Sequence, residues 1–119
     1  MVIPMSTVDV SKHIIFSPHH RLDLVGANAL KQQFISLLTE QYNLWILDMT
    51  NVEFVDSSGL SALVIGLKTA REHGYRLVLC NLNSTVRLTL EITQLDRALE
   101  IFDNVDAIFS LSNPKLATA

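Results

Sequence analysis

LWILDMTNVEFVDSSGLSALVIGL, residues 44–67, reads as a buried strand, a loop and a helix in succession. The run from Leu44-Trp45-Ile46-Leu47 to Met49 is apolar almost without interruption and too short for a surface helix. A strand covered on at least one face, central in its sheet, fits it better. Leu60, Leu63, Val64 and Leu67 then recur at three and four, which predicts an amphipathic helix from about Ser58 to Glu72, stopped by Gly74. The loop between them, Val52-Glu53-Phe54-Val55-Asp56-Ser57-Ser58-Gly59, brings two hydroxyls and a row of unpaired backbone N–H groups to one point. A helix start carries about half a positive charge, so an anion is welcome there.

Working outward, residues 1–6 form an N-terminal arm containing Pro4. Thr7-Val8-Asp9-Val10 and His13-Ile14-Ile15-Phe16 are short β-type runs about Ser11-Lys12, which predicts a hairpin at the sheet edge. Pro18 ends the second run, and His19 to Asp23 is a polar connection. Leu30, Phe34, Leu37 and Leu38 make one buried stripe on a helix from about Gly26 to Gln41, closed by Asn43. Arg76 to Cys80 is a second buried strand, and Asn81-Leu82-Asn83 a turn. Ser84 caps a short helix over Val86 to Ile92. Leu99 to Phe102 is a last strand, and Asp103 or Asn104 starts a helix towards Phe109. Residues 112–119 form a frayed tail. Strands alternating with helices need crossover connections and a largely parallel sheet, which the first two strands make mixed. Residues 7–111 form one domain.

The 119 residues are 49% hydrophobic and 18% charged, an ordinary globular balance. The formal charge of −3, with no Lys/Arg stripe, argues against direct nucleic-acid binding. Cys80, the sole cysteine, has no internal disulfide partner and sits in a buried run, which suits a reducing compartment. No apolar run approaches the ~18–20 residues that cross a bilayer, and no charged segment precedes an apolar one at the start. The expectation is a cytoplasmic protein without membrane insertion.

On a wheel at about 100° per residue, Leu60, Leu63, Val64 and Leu67 form the expected core face of the second helix. Ser58, Ala62, Ile65 and Thr69 share the opposite direction, small residues with one isoleucine, a seat for another protein's helix. Without a partner, Ser57 or Ser58 is only an N-cap and Ile65 a stray surface residue. Asp56 orients the loop by accepting from nearby backbone N–H groups, or else bonds the Ser58 hydroxyl. Asp23 steadies the entry to the first helix.

Leu47-Asp48-Met49-Thr50-Asn51-Val52-Glu53-Phe54-Val55-Asp56-Ser57-Ser58-Gly59-Leu60 resembles the STAS domains of bacterial anti-sigma factor antagonists, or anti-anti-sigma factors. Arg21-Leu22-Asp23, Gly74 to Leu82 and Val86 to Phe102 extend the resemblance over nearly the whole chain. It implies an α/β fold, a mixed sheet of about five strands with about four helices mainly on one side. It also implies partner switching that regulates transcription. Ser58 would be phosphorylated by a histidine-kinase-like anti-sigma factor that is also a serine kinase. The unphosphorylated chain binds that partner and releases the sigma factor, and a metal-dependent serine phosphatase restores it. The resemblance places Asp23 near the binding surface, together with Asp56, Ser57, Ser58 and Gly59. Two positions depart from the family, His20 and Gln94, where glycine is usual.

Other classes fit less well. Ser58 lacks the Gly-x-Ser-x-Gly elbow of hydrolases, having Asp56 and Leu60 at the flanking positions. His13, His19, His20 and His73 leave a Ser–His pair assembled in space as the enzymatic alternative. His19-His20 without further ligands reads as a solvated loop, not a metal site. No cofactor is implied. The remaining alternative is a STAS subunit acting without phosphorylation, in a lipid-transport complex or a signalling scaffold. Adjacent serines at the helix start favour the switch.

Overall fold

Leu44, Trp45, Ile46 and Leu47 are all fully buried, which puts their strand between two neighbours with cover on both faces. The computed structural model describes residues 9–112. In chain order the elements are β1 (His13–Phe16), β2 (Arg21–Leu22), α1 (Leu24–Leu37), β3 (Leu44–Asp48), β4 (Phe54–Val55), α2 (Ser57–Glu72), β5 (Arg76–Cys80), α3 (Ser84–Ile92), β6 (Glu100–Phe102) and α4 (Val105–Ser112). The main sheet has the order β1-β3-β5-β6, and β2 pairs with β4 in a separate two-residue ladder.

All pairings among the described residues are parallel. Among the described residues His13–Phe16 pairs only with β3, in parallel, with Ile15 opposite Ile46, and no hairpin partner for it is seen there. Val10–Lys12 is a 3₁₀ turn capped by the Asp9 side chain, so the expected strand over 7–10 is absent from Asp9 onward. Among the described residues the main sheet has four strands, all parallel, where a mixed sheet of about five was expected. Thr7, Val8 and the arm 1–6 lie outside the described residues, as do 113–119; Ser112, expected in the tail, ends α4.

Alternate residues of the central strands face different cores. Trp45, Leu47, Leu77 and Leu79 pack under Leu30 and Phe34 of α1, Leu63 and Leu67 of α2, and Val86 and Leu90 of α3. Leu44, Ile46, Val78 and Cys80 face Ile108 of α4 on the other side. Three helices on one face and one on the other match the expected one-sided cover. Phe34 stacks on Trp45 at 5.8 Å and meets Phe16 edge-on at 5.9 Å.

The core face of α2 is turned from the one its leucines predict. Gly59, Ala62, Leu63, Gly66, Leu67 and Ala70 are buried, whereas Val64 is 41% exposed and Leu60 only half-buried. On the helical wheel this face is centred about 80° from the leucine stripe. The reason is the close approach of α1: a Cβ on Gly66 would run into the Phe34 ring. Small residues mark the contact line, and the leucines flank it. Ala62, expected beside Ser58 on the outward face, is fully buried. After His73, Gly74 takes φ 72, Tyr75 N–H donates to Ala70 O and Gly74 N–H to Arg71 O. That is a left-handed glycine stop, as the sequence predicts.

Candidate functional site

Ser58 is the second residue of α2, half-buried, and Ser57 before it is exposed. Neither serine is the cap. Asp56 is: its Oδ1 accepts from the backbone N–H of Ser58 at 2.8 Å and of Gly59 at 3.2 Å. The carboxylate so quenches two of the unpaired donors of the helix start, and Asp56 orients the loop through the backbone, not through the Ser58 hydroxyl. At α3 the cap is likewise one residue earlier than expected, Asn83 in place of Ser84. Asn104 caps α4 through the Ala107 N–H.

The small ladder holds the site in place. Arg21 pairs with Phe54 and Leu22 with Val55; His20 O accepts from Glu53 N–H at 2.7 Å and Leu22 O from Asp56 N–H at 3.2 Å. The chains leave this ladder level with each other at Asp23 and Asp56. Asp23 caps α1 as Asp56 caps α2, its Oδ1 accepting from Gly26 N–H at 3.1 Å. That hydrogen bond, with Arg21 beside it, holds the Asp23 carboxyl below its ordinary pKa. Arg21 Nε lies 3.6 Å from Asp23 Oδ2, and its guanidinium lies 4.2 Å from the centroid of the Phe54 ring.

Two short segments thus build the same turn. Leu22-Asp23-Leu24-Val25-Gly26 opens α1, and Val55-Asp56-Ser57-Ser58-Gly59 opens α2. In both, the glycine three after the aspartate is forced by close approach: a Cβ on Gly26 would strike Arg21 O, and one on Gly59 would strike Leu22 O. The spacing apolar-Asp-x-x-Gly is its visible signal in the sequence. It is what sequence reasoning missed, and with it Leu24 and Val25, 64% and 72% exposed beside the serines.

Of the expected site residues, Asp23, Asp56, Ser57, Ser58 and Gly59 come together at the paired helix starts. Ile65 is 41% exposed and Thr69 half-buried, two and three turns further along α2. Ala62 is in the core. No histidine is hydrogen-bonded to Ser58 among the described residues: the His13 ring meets Val10 O and the His73 ring Thr69 O. Nor is any group of three or more His, Cys, Asp or Glu side chains there placed to hold a metal. Among those residues no helix is long and apolar enough to cross a membrane.

The STAS domain family model matches residues 5–108, nearly the whole chain. The chain belongs to the STAS domain family. A Thermotoga neapolitana protein named as a candidate anti-sigma factor antagonist is 32% identical over 93 residues, 77% of this chain and 82% of the relative. An anti-sigma F factor antagonist of Paenibacillus polymyxa is 29% identical over 94 residues, 78% of this chain and 77% of the relative. The crystal structure of a candidate anti-sigma factor antagonist from Thermotoga maritima superposes with a TM-score of 0.74 at 31% identity, covering 83% of this chain and 84% of that one. A sulfate transporter family protein of Wolinella succinogenes has a TM-score of 0.75 at 20% identity, over 100% of this chain and 93% of that one, and shares the fold. The two positions where the resemblance leads one to expect glycine differ in backbone. Gln94 adopts φ 62, left-handed backbone, while His20 is not among the positive-φ residues.

Proposed function

We propose that this STAS domain is an anti-sigma factor antagonist working by partner switching in the bacterial cytoplasm, a binding protein and not an enzyme. In its unphosphorylated form it binds a histidine-kinase-like anti-sigma factor that is also a serine kinase, and so frees the sigma factor. Phosphorylation of Ser58 abolishes that binding, and a metal-dependent serine phosphatase restores it. Residues 7–111 are the switching domain. Asp23, Asp56, Ser57, Gly59, Ile65 and Thr69 lie in or beside the contact surface.

The observation that carries this reading is the position of Ser58. Ser58 is the half-buried second residue of α2, after the exposed Ser57, in the Asp-Ser-Ser-Gly-Leu stretch of a chain whose relatives bear the antagonist name. A neutral hydroxyl there lies flush in an interface. A phosphate adds about −1.5 to −2 charges and three acceptor oxygens, which a partner surface must desolvate. A loss of about 3 kcal/mol is already more than a hundredfold in affinity. Beside the Asp56 carboxylate, which already takes the Ser58 and Gly59 N–H groups, the phosphate charge is locally unfavourable, offset in part by the helix dipole, and no refolding is required.

Intact-mass measurement after incubation with the candidate kinase and ATP is expected to show one added phosphate on the wild type and none on Ser58→Ala. In titrations with the same partner, Ser58→Ala binds like the unmodified chain, and Ser58→Asp at least tenfold more weakly. Equal affinity of all forms would reject the switch. Hydrolysis of a generic ester that vanishes in Ser58→Ala would instead revive an enzymatic role.

A further inference from the structure

The duplicated helix start has an asymmetry that the switch alone leaves unused. The first two helical positions of α2 are Ser57 and Ser58; the same two positions of α1 are Leu24 and Val25. The caps, the inward glycines and the ladder are shared, so the fold holds both pairs in the same way. Nothing in the core uses the α1 pair: Leu24 is 64% and Val25 72% exposed, and Phe54, 38% exposed, lies on the adjoining ladder. A single exposed apolar side chain needs no explanation. Two adjacent ones at the start of α1, which leaves the β2–β4 ladder level with the start of α2, are less easily dismissed; Phe54 itself is covered by the Arg21 guanidinium.

We propose that Leu24 and Val25 are the apolar anchor for the protein that reads Ser58, so that α1 supplies affinity and α2 supplies the switch. This rests on the partner-switching reading and names the surface that the partner must cover. The occupant follows from size. Asp23 and Asp56 leave a parallel ladder whose strands are about 4.8 Å apart, and helices packed as neighbours lie about 8–10 Å apart. A stable protein interface covers about 800 Å² on each partner. A protein seated over the Ser58 hydroxyl therefore also covers the α1 start, whereas a small ligand at Ser58 would not. Apolar side chains enclosed near the centre of such a footprint are where affinity concentrates. Phosphate on Ser58 then acts on a contact already held by its neighbour, which suits a switch that must be strong when unmodified and reversible when modified.

The test uses purified histidine-kinase-like anti-sigma factors from the source bacterium, titrated one at a time with the full chain by calorimetry. Leu24→Ala/Val25→Ala is expected to weaken binding tenfold or more with an unchanged melting temperature. The control pair Leu88→Ala/Ile92→Ala, 54% and 72% exposed on α3, is expected to leave affinity within twofold. Wild-type affinity for the α1 variant, with Ser58→Asp still weak, would overturn the anchor and leave the switch standing. Equal losses from both pairs would reduce the patch to general stickiness and overturn it too. A weakened α1 variant with Ser58→Ala and Ser58→Asp binding alike would uphold the anchor and sink the switch. If sedimentation showed the wild type alone to be a dimer that the α1 variant dissociates, the occupant would be a second copy and the proposal would fall. No binding by any factor would overturn anchor and switch together.

Discussion

Gln94 and His20 both stand where the resemblance leads one to expect glycine, and the backbone separates them. Gln94 sits at φ 62 and ψ 16 after α3, with Arg97 N–H donating to its carbonyl oxygen. Left-handed backbone costs an L side chain roughly 1–2 kcal/mol, while glycine loses about 0.5–1 kcal/mol of extra chain entropy on folding. Gln94→Gly is therefore expected to stabilise by roughly 0.5–1 kcal/mol, a few degrees in melting temperature. His20 pays no such penalty, so His20→Gly should cost a few tenths to about 1 kcal/mol. Calorimetric melts of the two variants should move in opposite directions; a shared sign would refute this account of the two loops. The sequence identified both positions through the family, but only backbone angles say which substitution carries strain.

Among the elements, α2 shows what periodicity can and cannot reveal. Its span was legible, because Gly74 and the three-four spacing are local signals. Its orientation was not. Hydrophobic size points at Leu60 and Val64, whereas the helix turns its glycines and alanines to α1 so that the Phe34 ring can lie against Gly66. How near two backbones come is a property of both helices, and no single stretch states it. The caps were missed for a similar reason: Asp56 and Asn83 each precede a serine, and either residue type suits a cap. At β1 two short runs beside each other suggested a hairpin; among the described residues Val10 lies in a 3₁₀ turn and the ladder partner is β3, far along the chain. Gly66→Ala tests the packing. The added methyl must displace the Phe34 ring from Trp45, and overpacking of this kind costs about 1–3 kcal/mol. Chemical denaturation should show that loss, and adding Phe34→Leu to Gly66→Ala should recover part of it, since the smaller side chain leaves room. A Gly66→Ala variant as stable as wild type would show the α1–α2 contact to be looser than drawn.

At the scale of the whole molecule, the sheet separates two apolar compartments that carry natural reporters. Trp45 is fully buried on the side of α1, α2 and α3; Cys80 is fully buried on the side of α4. Burial, aided by the nearby Asp48 carboxylate, pushes the Cys80 thiol up to about 11. At pH 8 the folded chain therefore holds very little thiolate, the reactive form. As pH rises, an unfolded thiol ionises near 9 and the folded one near 11. Stability from this group is complete below about pH 9 and declines between those values. The α4 side is the smaller cluster, and Ile108 is the one α4 residue buried in full among those described. Ile108→Ala removes its main plug at a cost of about 2–5 kcal/mol, and local opening of one layer is expected before global unfolding. Cys80 labelling by an aromatic disulfide reagent at pH 8 should accelerate by tenfold or more, while Trp45 fluorescence and the urea resistance of the α1–α3 side change much less. If labelling and Trp45 fluorescence instead responded in step, the two faces would unfold as one unit. The Ser58 helix start, which belongs to the larger compartment, would then share whatever stability α4 confers.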